Sequence, residues 1–158
     1  MKNHRNTKDL NAFFNPKSIA IVGASGDERK PSGVILKNLP AFGYKGKLYP
    51  VNPKYETLSG YKCYPSVLNI PDKIDLSIII IPAPYVPKVL SEHAEKGIKS
   101  VVISSSGFGE TGEEGKRLEE EIKDIAKKSN IRILGPNCLG VIDNHTRFNT
   151  FFLPLEKV

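Results

Sequence analysis

Five short segments of this chain carry residue types able to hold an anion. The first is Gly23-Ala-Ser25-Gly26. Small residues where a strand turns into a helix let backbone N–H groups approach phosphate oxygens, and the helix dipole favours the negative charge. The spacing departs from the G-x-G-x-x-G dinucleotide fingerprint: Gly23 and Gly26 are three apart, and the next glycine is Gly33. A tight turn that binds nothing is the plain alternative. The second segment, Asn52-Pro-Lys54, stands where an NAD site needs an acid for the ribose hydroxyls. Lys54 suits a phosphorylated ribose, as in NADP or coenzyme A, unless it is an ordinary surface lysine. The third, Pro82-Ala83-Pro84, could support an adenine ring or merely connect a strand to a helix. Pro84 can open that helix, because the first turn needs no N–H donor there.

The fourth segment offers the hydroxyls of Ser104, Ser105 and Ser106, the amides of a Gly-Phe-Gly turn and the carboxylate of Glu110. No G-x-S-x-G elbow or histidine partner accompanies them, so they read as a binding loop and not as a nucleophile. The fifth, Gly135-Pro-Asn137-Cys138-Leu-Gly140, can present backbone N–H groups to a phosphate or carboxylate. Cys138 has no base beside it in sequence and reads as a small buried thiol. His4 falls in a polar N-terminal stretch, His93 beside the apolar stripe of a helix and at the surface, and His145 in a polar turn. No pair of them has metal-ligand spacing, and Cys63 and Cys138 form no C-x-x-C. No metal site and no catalytic residue are therefore expected. Both thiols should be reduced, although one disulfide is possible in principle.

Each of these segments follows an apolar stretch that reads as a strand. Residues 18–22 (SIAIV), 47–51 (KLYPV), 75–81 (DLSIIII), 98–104 and 131–134 are the candidates. Continuous β-branched residues mean both faces are covered, as in a parallel sheet. Pro50 places the second strand at an edge or at a strand end. Helical stripes lie between the strands. Val34, Ile35 and Leu36 begin one that Ser32 could cap and Pro40 should shorten. Val86, Val89, Leu90 and Ala94 form the next. Leu118, Ile122, Ile125 and Ala126 form the last, with Glu113 and Glu114 at its start and Lys127 and Lys128 at its end, matching the helix dipole. The fold class is α/β: a Rossmann-like, doubly wound parallel sheet in a single domain, with ligands beyond the carboxyl ends of the strands.

The 158 residues suffice for one domain with a hydrophobic core. Residues 1–11 should be a flexible segment, 12–153 the domain, and 154–158 a tail or linker. No apolar run is long enough to cross a bilayer and no signal-peptide core is present, which makes a cytoplasmic location the default. The net charge of +6 comes from the first half: residues 1–79 hold 12 Lys/Arg against 6 Asp/Glu, and residues 80–158 hold 11 of each. Such an excess permits nucleic acid, an acidic ligand or a solvated surface. No recognition helix or RNA motif supports nucleic acid.

The strings PKSIAIVGAS, YPVNPKYE, DLSIIIIPAP, GIKSVVISSSGFGETG and RILGPNCLGVI, in this order, resemble the coenzyme-A-binding domain of the ADP-forming acyl-CoA synthetases, relatives of the succinyl-CoA synthetase α subunit. The resemblance covers about residues 10–153. It implies that Ser25, Gly26, Asp27 and Glu28, after Gly23, lie along the CoA phosphate loop and that Lys54 touches CoA. It implies that Ser104 to Ser106 line the cofactor, that Glu110 supplies a nearby carboxylate, and that Asn137 and Cys138 stand beside the phosphate position. The implied function is the CoA-binding domain of an NDP-forming acid–CoA ligase, which converts acyl-CoA, ADP and phosphate to acid, CoA and ATP. Its implied ligands are a CoA thioester and phosphate, and its partners the remaining ligase domains or a nucleotide-binding β subunit. Enzymes of this family carry the phosphoryl group on a histidine of a following domain, so this chain is not expected to complete catalysis alone. The alternatives are a stand-alone CoA-binding or sensing protein and an NADP-binding Rossmann protein.

Overall fold

The computed structural model of the protein describes residues 10–153. Apart from Leu10 and Asn11, the expected flexible segment 1–11 lies outside the described residues, as do the tail 154–158 and His4. A single turn, α1 (Asn11–Phe14), leads into β1 (Ser18–Val22). Then follow α2 (Pro31–Ala41), β2 (Lys47–Val51), β3 (Thr57–Leu58), β4 (Tyr61–Lys62) and β5 (Leu76–Ile79). The chain continues through α3 (Val86–Lys96), β6 (Ser100–Ile103), α4 (Glu113–Ser129), β7 (Arg132–Leu134), β8 (Ile142–Asp143) and β9 (Phe148–Asn149). Five strands form one parallel sheet in the order β2-β1-β5-β6-β7. The chain runs from β1 to β2 on one side and returns to β5 on the other, so the topological switch lies between β1 and β5.

The period of two along the strands builds a core on each face. Ile19, Ile21, Ile78 and Val102 cluster with Ile35, Leu36 and Leu39 of α2, with Phe13, and with Phe148 of the β8–β9 hairpin. Ala20, Val22, Ile79, Val101 and Ile103 cluster with Val86 and Leu90 of α3 and with Leu118 and Ile122 of α4. Each fully buried aliphatic side chain contributes about 1.5–3 kcal/mol by leaving water. Pro50 does sit on the edge strand, one residue from its end. That edge is covered by Tyr64, whose N–H donates to Pro50 O at 2.9 Å and whose carbonyl accepts from Asn52 N at 2.9 Å.

Several local expectations change. Ser32 does not cap α2: the extended residue before the helix is Lys30, Pro31 occupies the first turn, and Ser32 is buried one position inside. Proline's fixed φ starts the helix there without a side-chain cap. Pro40 lies in the last turn, as expected of a helix stop. The third strand is shorter than residues 75–81, because Ile81 N–H leaves the sheet to donate to Ser105 Oγ at 3.1 Å. Pro84 belongs to a 3-10 turn, Ala83–Tyr85, that precedes α3.

His93 is the largest correction: it is fully buried, not at the surface. Its Nδ1 lies 2.7 Å from Val89 O and its Nε2 2.7 Å from Ser77 Oγ. A carbonyl only accepts, so the proton sits on Nδ1 and the Ser77 hydroxyl donates to Nε2. Burial holds the imidazole neutral and lowers its pKa to about 4, against smaller opposing effects of the Val89 carbonyl and Glu92.

The α4 C-terminus is closed by Asn130 at φ 52° and ψ 42°, with its N–H on Ala126 O and Lys127 O. Asparagine, whose short polar side chain bonds locally, tolerates this left-handed conformation better than most residues with a Cβ. Asn130→Ala is expected to cost about 1 kcal/mol in urea unfolding, and Asn130→Gly to cost nothing measurable.

Candidate functional site

The five segments leave the carboxyl ends of the five sheet strands, and a chain of hydrogen bonds ties them into one edge. After β1, the N–H groups of Gly23 and Ala24 donate to Val51 O at 2.9 and 3.3 Å. Gly23 has φ +84°, and a Cβ there would stand 2.1 Å from Ile80 O. Only glycine lets the ends of β1 and β5 meet at the switch point, where a doubly wound sheet opens its ligand crevice. Asn52 joins the first two loops: its Nδ2 donates to Ala24 O at 2.8 Å and its Oδ1 accepts from Lys54 N at 3.0 Å. Ser105 joins the other three. Its Oγ accepts from Ile81 N, and its carbonyl accepts from Asn137 N at 2.9 Å.

Within the first loop the expected residues are engaged locally. Ser25, which is buried, accepts from Asp27 N at 3.1 Å. Asp27 grips the Arg29 guanidinium by both oxygens, at 2.9 and 3.0 Å. The Arg29 side chain holds the Asp27 carboxyl well below the usual range, at about 2, with the Arg29 backbone N–H adding to it. Glu28 pairs with Lys37 at 2.6 Å. Both acids are thereby neutralised on a loop proposed for phosphate. Gly33 lies in the first turn of α2, where a Cβ would meet Asp27 O at 2.1 Å, so the long loop folds back on its own helix. Gly26 has only Leu58 nearby, 3.5 Å from where a Cβ would be.

Pro82 and Pro84 are exposed at the start of α3, while Ala83 between them is core. The serine loop is held from within: Glu110 accepts Gly107 N at 2.7 Å and Phe108 N at 3.2 Å. These amides, Gly107 first, keep its carboxyl below the ordinary range. Ser106 is exposed. The Ser104 hydroxyl is buried and has no hydrogen-bond partner among the described residues. A buried polar atom without a partner is uncommon, which sets this hydroxyl apart from those of Ser105 and Ser106. In the fifth loop, Asn137 adopts φ 56°, and Cys138 is half-buried with its N–H on Ile103 O at 3.1 Å. Both cysteines are free thiols.

A cavity of about 550 Å³ opens beside the switch point. Of the residues singled out in sequence, it gathers Gly23, Asn52, Lys54 and Pro82. The remaining expected residues stand on the same edge but outside this cavity. Four of its other walls went unnoticed in sequence: Pro65, Tyr85, Lys88 and Glu92. Tyr85, 63 % exposed, had a signal in its position straight after Pro82-Ala83-Pro84. The β3–β4 hairpin was also missed, although Ser59-Gly60, both at positive φ, is a turn dipeptide. Among the described residues no group of three or more His, Cys, Asp or Glu is placed to hold a metal, and no helix is long and apolar enough to cross a membrane.

The profile described as "CoA binding domain" matches residues 17–144. The α subunit of an ADP-forming acetate–CoA ligase II from Pyrococcus furiosus is 48% identical over 148 residues, which cover 94% of this chain and 32% of the relative. The chain thus spans about a third of that relative, and about a fifth of some longer ones. The apo structure of an acetyl-coenzyme A synthetase from Ca. Korarchaeum cryptofilum superposes with a TM-score of 0.86 at 43% identity, covering 92% of this chain and 31% of that one. A hypothetical protein from Pyrococcus horikoshii shares the fold at 29% identity, with a TM-score of 0.65, and there the match covers 83% of this chain and 82% of the other.

Proposed function

The chain belongs to the CoA-binding domain family, and from that premise we propose that it holds coenzyme A or an acyl-CoA along the carboxyl edge of its sheet, as the CoA-binding domain of an ADP-forming acid–CoA ligase. The observation that carries this reading is the junction at Gly23, where β1 and β5 meet at backbone contact and the cavity carrying Lys54 opens beside them. The amides of Ser25 and Gly26 and the start of α2 suit a pyrophosphate, the Gly23 and Ala24 amides being held by Val51 O. Lys54 suits the ribose phosphate that distinguishes coenzyme A from NAD. Asn137, Cys138 and the Ser104 hydroxyl suit the acyl and phosphate end.

In the full reaction, phosphate attacks the thioester carbonyl, the CoA thiolate leaves, and an acyl phosphate forms. Its phosphoryl group then passes by way of a histidine to ADP, giving ATP and the free acid. This domain contributes by binding and positioning, not by covalent chemistry. His93 is sealed in the core and His145 is exposed in the β8–β9 turn, so the carrier histidine is proposed to lie in another domain or subunit. The remaining ligase domains, or a nucleotide-binding β subunit, are the proposed partners, and the cytoplasm is the proposed location.

A second reading, a stand-alone CoA-binding protein, has one observation in its favour: in the Pyrococcus horikoshii hypothetical protein the shared fold accounts for 82% of the chain. Adding the other ligase components to this chain separates the two readings. Restored synthesis of ATP from acetyl-CoA, ADP and phosphate supports the ligase, and binding without turnover supports the stand-alone protein.

Calorimetry with CoA, NAD and NADP tests the ligand. CoA should bind tightest, and equal or better NADP affinity would remove the assignment. Lys54→Ala should weaken CoA roughly tenfold and dephospho-CoA much less, because a charge-assisted contact to the ribose phosphate is lost. Equal losses for the two ligands would move Lys54 to the pyrophosphate.

A further inference from the structure

We infer that Lys88 is a second specificity-determining cation of this site, and that with Lys54 it selects a ligand carrying a phosphate monoester on its ribose over one with a free hydroxyl there. The inference rests on the coenzyme A reading and deepens it. Lys88 is the third residue of α3 and lines the same cavity as Lys54. A cation in the first turn of a helix faces the positive end of the macrodipole, an unfavourable place for it. The first turn of α3 holds no acid to offset the charge. Glu92, on the same cavity, accepts a hydrogen bond from Ser66 Oγ at 2.7 Å and keeps its charge, but forms no ion pair with Lys88.

Four exposed lysines are paired with acids, Lys37 with Glu28, Lys47 with Asp72, Lys116 with Glu113 and Lys123 with Glu119, and what sets Lys54 and Lys88 apart from the other unpaired lysines is the cavity they share. Neither Lys54 nor Lys88 has an ionic partner among the described residues, and both meet at one cavity. Two cations beside a helix N-terminus outweigh the single Glu92 carboxylate and leave the cavity net positive, against a partly apolar wall that includes Pro53, Pro65 and Tyr85. Local electrostatics that oppose the fold are a mark of function. A phosphate dianion next to a flat, mostly apolar ring is the ligand chemistry that answers this arrangement.

The test is calorimetry of the wild-type chain, Lys88→Ala, Lys88→Arg and Lys54→Ala/Lys88→Ala with CoA and with dephospho-CoA, at low and at physiological salt. Lys88→Ala should weaken CoA by roughly three- to tenfold at low salt and dephospho-CoA by less than about twofold. Lys88→Arg should retain the preference, and the double variant should bind the two ligands nearly alike. Unchanged melting curves establish that each variant folds. If the wild-type chain binds CoA but Lys88→Ala keeps the full preference, or weakens both ligands equally, the inference is overturned and the CoA reading stands. If the wild-type chain does not bind CoA, the parent reading falls and this one with it.

Discussion

Gly23→Ala should destabilise the protein by about 3–5 kcal/mol and abolish measurable CoA binding. Two independent penalties coincide at this position. The backbone is at φ +84°, where an ordinary residue loses about 1–2 kcal/mol. The added methyl would also stand 2.1 Å from the Ile80 carbonyl oxygen and 2.8 Å from Ile81 Cγ2. The first of these is a backbone atom of the neighbouring strand, so relief requires moving β1 away from β5 at the crevice itself. Gly60→Ala is the control: φ is +81°, and a Cβ there meets nothing within 4 Å. It should cost only the conformational part and leave CoA binding intact. Equal stability losses in the two variants, read from urea unfolding, would mean that the strand ends are not in contact and that the crevice is built otherwise.

Acid should unfold the protein through His93. The neutral imidazole has a pKa of about 4 in the fold, against about 6.5 in an unfolded chain. As the pH falls below 6.5 the unfolded state takes up a proton that the folded state refuses. Stability is therefore full above about 6.5 and declines down to about 4, by about 3 kcal/mol in total. His93→Gln should be somewhat less stable at pH 7.5 but nearly flat between 6.5 and 4.5, where the wild-type chain is steep. Asp27, with its carboxyl at about 2, and Glu110 and Glu119, held below their ordinary range, contribute mainly below about pH 5, so the upper part of the window belongs to the histidine. A wild-type profile without slope between 6.5 and 4.5 would show that His93 is hydrated or charged in the fold.

His93 also shows where sequence reading stopped. It follows Val86 by seven, Val89 by four and Leu90 by three, which is the spacing of the stripe it joins. Its polarity pointed outward, and only the Ser77 hydroxyl from β5, brought near by the sheet, explains its burial. The strands were legible because continuous β-branched residues need both faces covered. The hairpins β3–β4 and β8–β9 were not, because strands of two residues carry no periodicity. The candidate site was legible as loops, since every strand end carried a small or polar segment. Its cavity was not, because whether Lys88 on α3 faces Lys54 on the β2 loop depends on how the helix lies over the sheet. The basic excess of the first half did not mark the site either. Lys17, Lys47 and Lys73 adjoin the starts of β1, β2 and β5, at the edge away from the loops. Together with Lys99 and Arg132 at the starts of β6 and β7, they put much positive charge on the wrong side for the proposed ligand.

That opposite edge supplies the sharpest contrast for the central claim. It carries a cavity of about 560 Å³ lined by Lys73, Asp75, Lys99 and Arg132, as large as the one at the switch point. Amide chemical-shift mapping of the isotope-labelled chain during titration with CoA distinguishes the two. Saturable shifts should gather at residues 23–28, 52–54, 81–85 and 104–107, with residues 73–75, 99 and 130–132 unmoved. Shifts confined to residues 73–75, 99 and 130–132, or no saturable shift at all, would contradict CoA binding at the carboxyl edge of the sheet.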